Sequence, residues 1–301
     1  MTGRLRDWII GGLILTILIY WVETRIGWQA LLAPWKEVSP LQLIYLFALS
    51  LLSYVFRAVR IYDYFHHELK GNFMPTLRLS VLHNFANNLL PMRAGEAAFP
   101  ILMKRYFGQS MANSALSLLW IRGLDLHFLI FIALSALYLR ENNLLWPIAA
   151  ILWLSTLLLV YPLRKPLLEL CQQQQNKLTK ILNKILINLP SQQNGFYRAY
   201  LWTSLTWISK FIAFAVVLLH FLEVPLWQAV MGIMGSELSS ILPFHGVAGA
   251  GSYEVGMVAV LAPMGVDADA VVGGAVNLHL FLLGVTLLLG VLAMLLPKPT
   301  R

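Results

Sequence analysis

The feature that most constrains this chain is the grouping of its apolar residues into runs long enough to cross a lipid bilayer, for which roughly 17–25 residues suffice. Such runs cover Trp8–Val22, Leu41–Phe56, Ser114–Leu139, Leu144–Tyr161, Tyr200–Leu222 and Val271–Leu296. Hydrophobic residues make up 58% of the 301 and charged residues only 12%, about half the charge of an ordinary soluble domain. The pattern predicts an all-α polytopic membrane protein of about six spanning helices, with residues 1–301 forming a single transmembrane domain. Arg4 and Arg6 precede the first run, but no small-residue cleavage site follows it. It therefore reads as a retained anchor.

The net charge of +8 would suit nucleic acid if it were spread over one surface, but it sorts by side instead. With the N-terminus in the cytoplasm, Arg57, Arg60, Lys70, Arg78, Lys104, Arg105, Arg164, Lys165, Arg198 and Lys298 fall inside. Only Arg25, Lys36 and Arg140 fall outside. That is the positive-inside pattern, and it puts both termini in the cytoplasm. The basic excess thus reports orientation and some attraction for anionic lipid head groups; nucleic acid is not expected as a partner. Cys171 is the only cysteine, so neither an intramolecular disulfide nor a cysteine metal site can form. It lies in a linker, residues 164–198, where Leu178, Ile181, Leu182, Ile185 and Leu186 recur at helical spacing opposite lysines. Such a segment is expected to lie on the cytoplasmic leaflet as an amphipathic helix, joining two halves.

Two regions fail as ordinary spans. Residues 76–106 are apolar but flanked by Arg78 and by Lys104 and Arg105; a single crossing would strand one of these clusters outside. Residues 225–265 consist of two short apolar arms around a break rich in Pro and Gly, residues that stop helices. Both are expected to be re-entrant helical hairpins, although two short crossings remain open for the second. Backbone exposed at that depth is tolerated only beside protein or a water-filled cavity. The breaks resemble each other: Asn-Leu-Leu-Pro-Met-Arg-Ala-Gly-Glu over 88–96, and Ser-Ile-Leu-Pro-Phe-His-Gly over 240–246 with Gly-Ser-Tyr-Glu over 251–254. Repeat one, 41–139, and repeat two, 200–296, are separated so that the second lies upside down. Inverted repeats of this kind bring broken helices together near the midplane, where transporters place their substrate site.

An ionised side chain at the bilayer centre costs roughly 2.5–3.5 kcal/mol even on permissive scales, so each needs a reason. Arg93, beside amides that open a half-helix, suits a phosphate. Glu96 and Glu254 hold equivalent places and are expected to approach each other and Arg93 in one midplane cavity. Arg122 and Asp125 share a helix face; Lys210 should face inward toward Glu237 or Asp125. Asn84, Asn87 and Asn88 give the first hairpin a polar face that must meet protein or water. His245 sits in the second break. Pro91, Gly95, Pro243, Gly246, Gly249 and Gly251 shape the tips. Zinc-binding His-Glu-x-x-His, nucleophile-elbow and Walker patterns do not occur, and no metal or cofactor is expected.

The two tip segments resemble the signature stretches of the flippase-like family named for the transmembrane region of lysylphosphatidylglycerol synthase, the multiple peptide resistance factor. The resemblance runs over most of the chain, roughly Trp8 to Leu296. It implies a prokaryotic cytoplasmic (inner) membrane protein that moves an anionic or aminoacylated phospholipid, or a lipid-linked carrier, between leaflets. Asn88, Pro91, Arg93, Gly95, Glu96, Pro243, Gly249, Gly251 and Glu254 match motif positions, and Arg122 and Asp125 match a charged pair after the first motif. Where the family usually has an arginine in the final helix, this chain has Asn277 and His279, which join the expected substrate-binding set. These residues hold no counterpart of the synthase's aminoacyltransferase domain, so synthesis of aminoacyl lipid is not expected. Two other readings stay open: an intramembrane transferase using Glu96, Glu254 or Asp125 as base, and a partner subunit for a separate lipid-modifying enzyme.

Overall fold

Three of the long helices start where the sequence supplies a side-chain cap. In the computed structural model, which describes residues 2–90, 95–173, 176–187, 189, 193–239 and 246–299 (backbone alone for 2–8, 10 and 181), Ser39 closes a reciprocal capping box with Gln42 ahead of Pro40, satisfying amides that helix starts leave free. Asp267 caps the last helix by accepting from the Ala270 amide at 2.9 Å. The helices are α1 (Thr2–Trp21), α2 (Trp28–Leu32), α3 (Pro40–Tyr64), α4 (His66–Leu69), α5 (Phe73–Leu89), α6 (Ala98–Phe107) and α7 (Met111–Glu141). They continue with α8 (Leu145–Gln173), α9 (Lys177–Ile187), α10 (Gln193–Phe221), α11 (Leu226–Ser239), α12 (Ser252–Leu261) and α13 (Ala268–Leu295). No strand occurs among the described residues.

The chain is an all-α, multi-pass membrane protein. Six described stretches are long and apolar enough to span: α3, α7, α8, α10, Val247–Met264 and α13. That membership differs from the sequence reading in one place. Trp8–Val22 does fold as a helix, but α1 carries Arg4, Arg6 and Asp7 in the same 20 residues, which dilutes its apolar length. Val247–Met264 takes its place in the six, yet it is not a single rod. A short 3-10 turn with Ala248 at φ 55 precedes Gly251 at φ 83 and then the 10-residue α12. At 1.5 Å per residue, α12 alone reaches only about half of the roughly 30 Å hydrocarbon core.

The expected linker is also shorter than 164–198. α8 runs on through Pro162 and Pro166 to Gln173 and α10 begins at Gln193, so only α9 and its joints lie between them. Prolines four apart share one helix face, and membrane helices tolerate the lost backbone bonds when neighbours compensate. On α9, Leu186 is buried while Leu178 is exposed.

α3 packs along α10 at the centre. Around this pair the broken helices cross over: α5 packs on α3 and α13, and α11 packs on α10 and α7. The two short helices pair with the spans that follow them, α6 with α7 and α12 with α13. Both short helices lead to a left-handed glycine, Gly108 (φ 68) or Gly265 (φ 85), a conformation only glycine adopts without cost. In each case the cap of the next helix, Ser110 or Asp267, follows two residues later. Hairpin α11–α12 closes on small residues, for a Cβ at Gly235 would lie 2.3 Å from the Gly256 carbonyl oxygen. The central core is aromatic and aliphatic, with Trp207, Phe211, Phe214 and Leu218 of α10 against Phe128, Ile233, Met257 and Leu278. Leu145, Ile151, Leu152 and Leu158 point outward from α8. For a chain in lipid these exposed side chains have an apolar neighbour.

Candidate functional site

Polar faces of α3 and α5 turn inward beside the central core. On α3, Ser50, Ser53, Tyr54 and Arg57 follow the i, i+3, i+4, i+7 spacing of one face; on α5, Asn84, Asn87 and Asn88 do the same. With Arg122 and Asp125 of α7, Lys210 of α10, Glu237 of α11 and His279 of α13 they line a cavity of about 380 Å³. Ala248 and Gly249, from the turn before α12, form part of its wall, as does Glu96 from the turn before α6.

The first charged group is a relay of alternating sign. Arg60 donates to Asp125 Oδ1 at 2.6 Å, and Arg122 donates to Asp125 Oδ2 at 3.1 Å and to Glu96 Oε1 at 2.8 Å. Trp207 Nε1 adds a donor to Asp125 at 3.0 Å, and Asn87 Nδ2 one to Glu96 at 3.1 Å. The Arg60 guanidinium also reaches Thr203 at 2.8 Å. The turn that carries Glu96 is pressed onto the end of α5: a Cβ on Gly95 would sit 2.3 Å from the Asn87 backbone nitrogen. Only glycine fits there.

The second group is Lys210, which donates to Glu237 Oε2 at 2.7 Å and lies 5.1 and 5.0 Å from the centres of the Trp207 and Phe214 rings, the range of cation–π attraction. Of the two carboxylates the sequence allowed for Lys210, this is the partner it meets.

The third group joins α12 to α13. Glu254 is buried and is not itself part of the wall. One of its oxygens accepts from the Gly251 amide at 2.6 Å, capping α12, and the other lies 2.7 Å from His279 Nδ1. The far nitrogen of His279 faces the Ala248 carbonyl at 2.9 Å, and Tyr253 stacks on the ring at 4.5 Å. A carbonyl only accepts, so His279 Nε2 must carry a proton. Nδ1 then shares one further proton with Glu254. Whichever atom holds it, the pair has no net charge.

Some expectations land elsewhere. Asn277 is absent from the wall and holds the loop ahead of α3, accepting from Trp35 Nε1 at 2.7 Å and donating to the Leu31 carbonyl at 3.0 Å. Glu96 lines the cavity while Glu254 reaches it only through His279. Pro91, Arg93, Pro243 and His245 lie outside the described residues, whereas Gly246, Gly249 and Gly251 fall in the turn before α12.

Arg57 and Arg60, assigned to the cytoplasm from sequence, need correcting. Arg60 is 1% exposed, and Arg57 lines the cavity. The apolar run ends at Phe56, but α3 continues to Tyr64. The polar stripe through Ser50, Ser53 and Tyr54 was the signal that Arg57 belonged to the inner face.

The family model described as "Lysylphosphatidylglycerol synthase TM region" matches residues 8–290. No curated protein and no solved structure matches the chain.

Proposed function

The chain belongs to the lysylphosphatidylglycerol synthase transmembrane-region family, which ties it to membrane lipids, and on that premise we propose that it moves a lipid between leaflets. The head group would pass through the polar cavity while its acyl chains stay in the bilayer. The protein would sit in a prokaryotic cytoplasmic membrane, with both termini in the cytoplasm.

One observation carries this reading. The cavity lies about midway along the spanning helices and is walled partly by turns, where the backbone is not helical. Arg122 and His279 are each the twelfth residue of their helices, of 31 and 28 residues respectively. Breaks at such depth are tolerated only beside protein or a polar cavity, and they are how carriers build midplane sites. The crossed packing supports an inverted repeat of re-entrant hairpins: α5 leans on the span after the second hairpin, and α11 on the span after the first.

A transferase would need a carboxylate free to take a proton. Asp125 is held by two arginines, Glu96 by Arg122 and Asn87, and Glu254 by His279; this favours transport. A partner subunit would leave lipid distribution unchanged. Purified protein in vesicles with a fluorescent anionic lipid separates these readings. Exchange between leaflets with no covalent change is expected, and a new lipid product or an unchanged leaflet distribution overturns the proposal.

A further inference from the structure

Among the described residues, the charges around the cavity pair off except at one. Lys210 is matched by Glu237 and His279 by Glu254, so both pairs are neutral. The relay contains Arg60 and Arg122 against Asp125 and Glu96, again neutral. Arg57 is left over. Its charged neighbours include Asp125, already engaged by two guanidinium groups, and the like charges of Arg60, Arg122 and Lys210. Among the described residues it makes no hydrogen bond or ion pair, and its buried Nε has no partner. An unmatched cation at membrane depth is costly, so an arginine kept there fits a site completed by an anion.

Two other orphaned atoms belong to the same wall. The Asn87 side-chain oxygen and the Tyr253 hydroxyl are buried without hydrogen-bond partners. Buried polar atoms are rarely left so. Arginine matches a phosphate as a planar fork, the tyrosine hydroxyl can donate alongside it, and the asparagine oxygen can only accept.

The wall also has an apolar gap. Leu119 and Leu126 of α7 line the cavity and are nevertheless 52% and 47% exposed. Leu126 is the middle residue of α7 (Met111–Glu141). Its outer neighbour at that level is lipid, so the gap suits an acyl chain more than a solute arriving from water.

We propose that Arg57 docks the phosphate of a lipid that enters sideways past Leu119 and Leu126, and that the site selects a phosphodiester head group with a hydroxyl and no amine. The one cation unmatched among the described residues accommodates one negative charge. An aminoacylated or ethanolamine head group would bring its own cation beside Arg57, Arg60 and Arg122. This inference rests on the lipid-translocation reading but narrows it to a class of substrate.

The test uses the whole chain in phosphatidylcholine nanodiscs doped with phosphatidylglycerol, phosphatidylethanolamine or a neutral glycosyl diacylglycerol, with retained lipid read by native mass spectrometry. Phosphatidylglycerol should be retained about tenfold or more over the others, the scale of one charge-assisted hydrogen bond. Arg57→Gln should erase that preference and Arg57→Lys should restore part of it. Leu126→Trp, at an exposed position, should slow leaflet exchange while melting stays as in the parent. Equal retention by the parent and Arg57→Gln, or equal retention of the ethanolamine lipid, overturns the proposal. So does tight binding of soluble glycerophosphoglycerol with lipid retention absent, since the ligand would then come from water. Leaflet exchange on the same preparations keeps the two ideas apart. Arg57-dependent retention without exchange upholds the site and sinks translocation; exchange indifferent to Arg57 does the reverse.

Discussion

Arg60 of α3 and Asp125 of α7 meet at 2.6 Å, with side chains only 2% and 6% exposed. Removing one member of a buried pair leaves a charge uncompensated, a loss of about 3–5 kcal/mol, whereas replacing both with apolar groups is often neutral. Asp125→Asn should therefore lower the melting midpoint in detergent sharply. The double variant Arg60→Met with Asp125→Leu should recover much of it without recovering exchange. Equal melting of Asp125→Asn and the parent would show the pair to be dispensable.

Glu254 has two jobs that substitutions can separate. It caps α12 through the Gly251 amide and shares a proton with His279. Glutamine can serve the same capping position, so Glu254→Gln should melt close to the parent, whereas Glu254→Ala should lose about 1 kcal/mol or more. Calorimetry on both variants checks this. Similar losses in the two would mean that the cap contributes little.

The glycine contact in the second hairpin admits no methyl group. A Cβ at Gly235 would meet the Gly256 carbonyl oxygen at 2.3 Å, and backbone is the hardest neighbour to displace. Gly235→Ala should destabilise by about 1–3 kcal/mol, the usual range for overpacking, while Gly284→Ala, facing open space, should be silent. Paired thermal melts decide the matter.

Sidedness of the first hairpin is open to labelling. In a Cys171→Ser background, cysteines at exposed Lys70 and Arg105 should react with an impermeant maleimide from the same face of an oriented membrane. One at exposed Asn143 should react from the other. Labelling of positions 70 and 105 from opposite faces would mean that the hairpin crosses, and the inverted-repeat reading would fall.

What the sequence determined alone was everything local. Apolar length set the spans, Pro and Gly set the breaks, and Asn84, Asn87 and Asn88 announced a polar face through their spacing. These follow from transfer free energy and helical period, which depend only on near neighbours in the chain. Motif positions such as Glu96, Arg122 and Asp125 were legible for the same reason, because an ion within an apolar run is conspicuous wherever the run packs. Arg57 and Arg60 were not legible. Near the end of a span an arginine can reach water or turn inward, and the sequence around it is the same in both cases. Packing of α3 against α10 and α5 turned them inward. The pairings of Arg60 with Asp125 and of Glu254 with His279, and the isolation of Arg57, depend on the rotation and depth of each helix against its neighbours. Those are set by ridges, glycine contacts and caps acting together across the whole bundle, so only the tertiary structure could decide them.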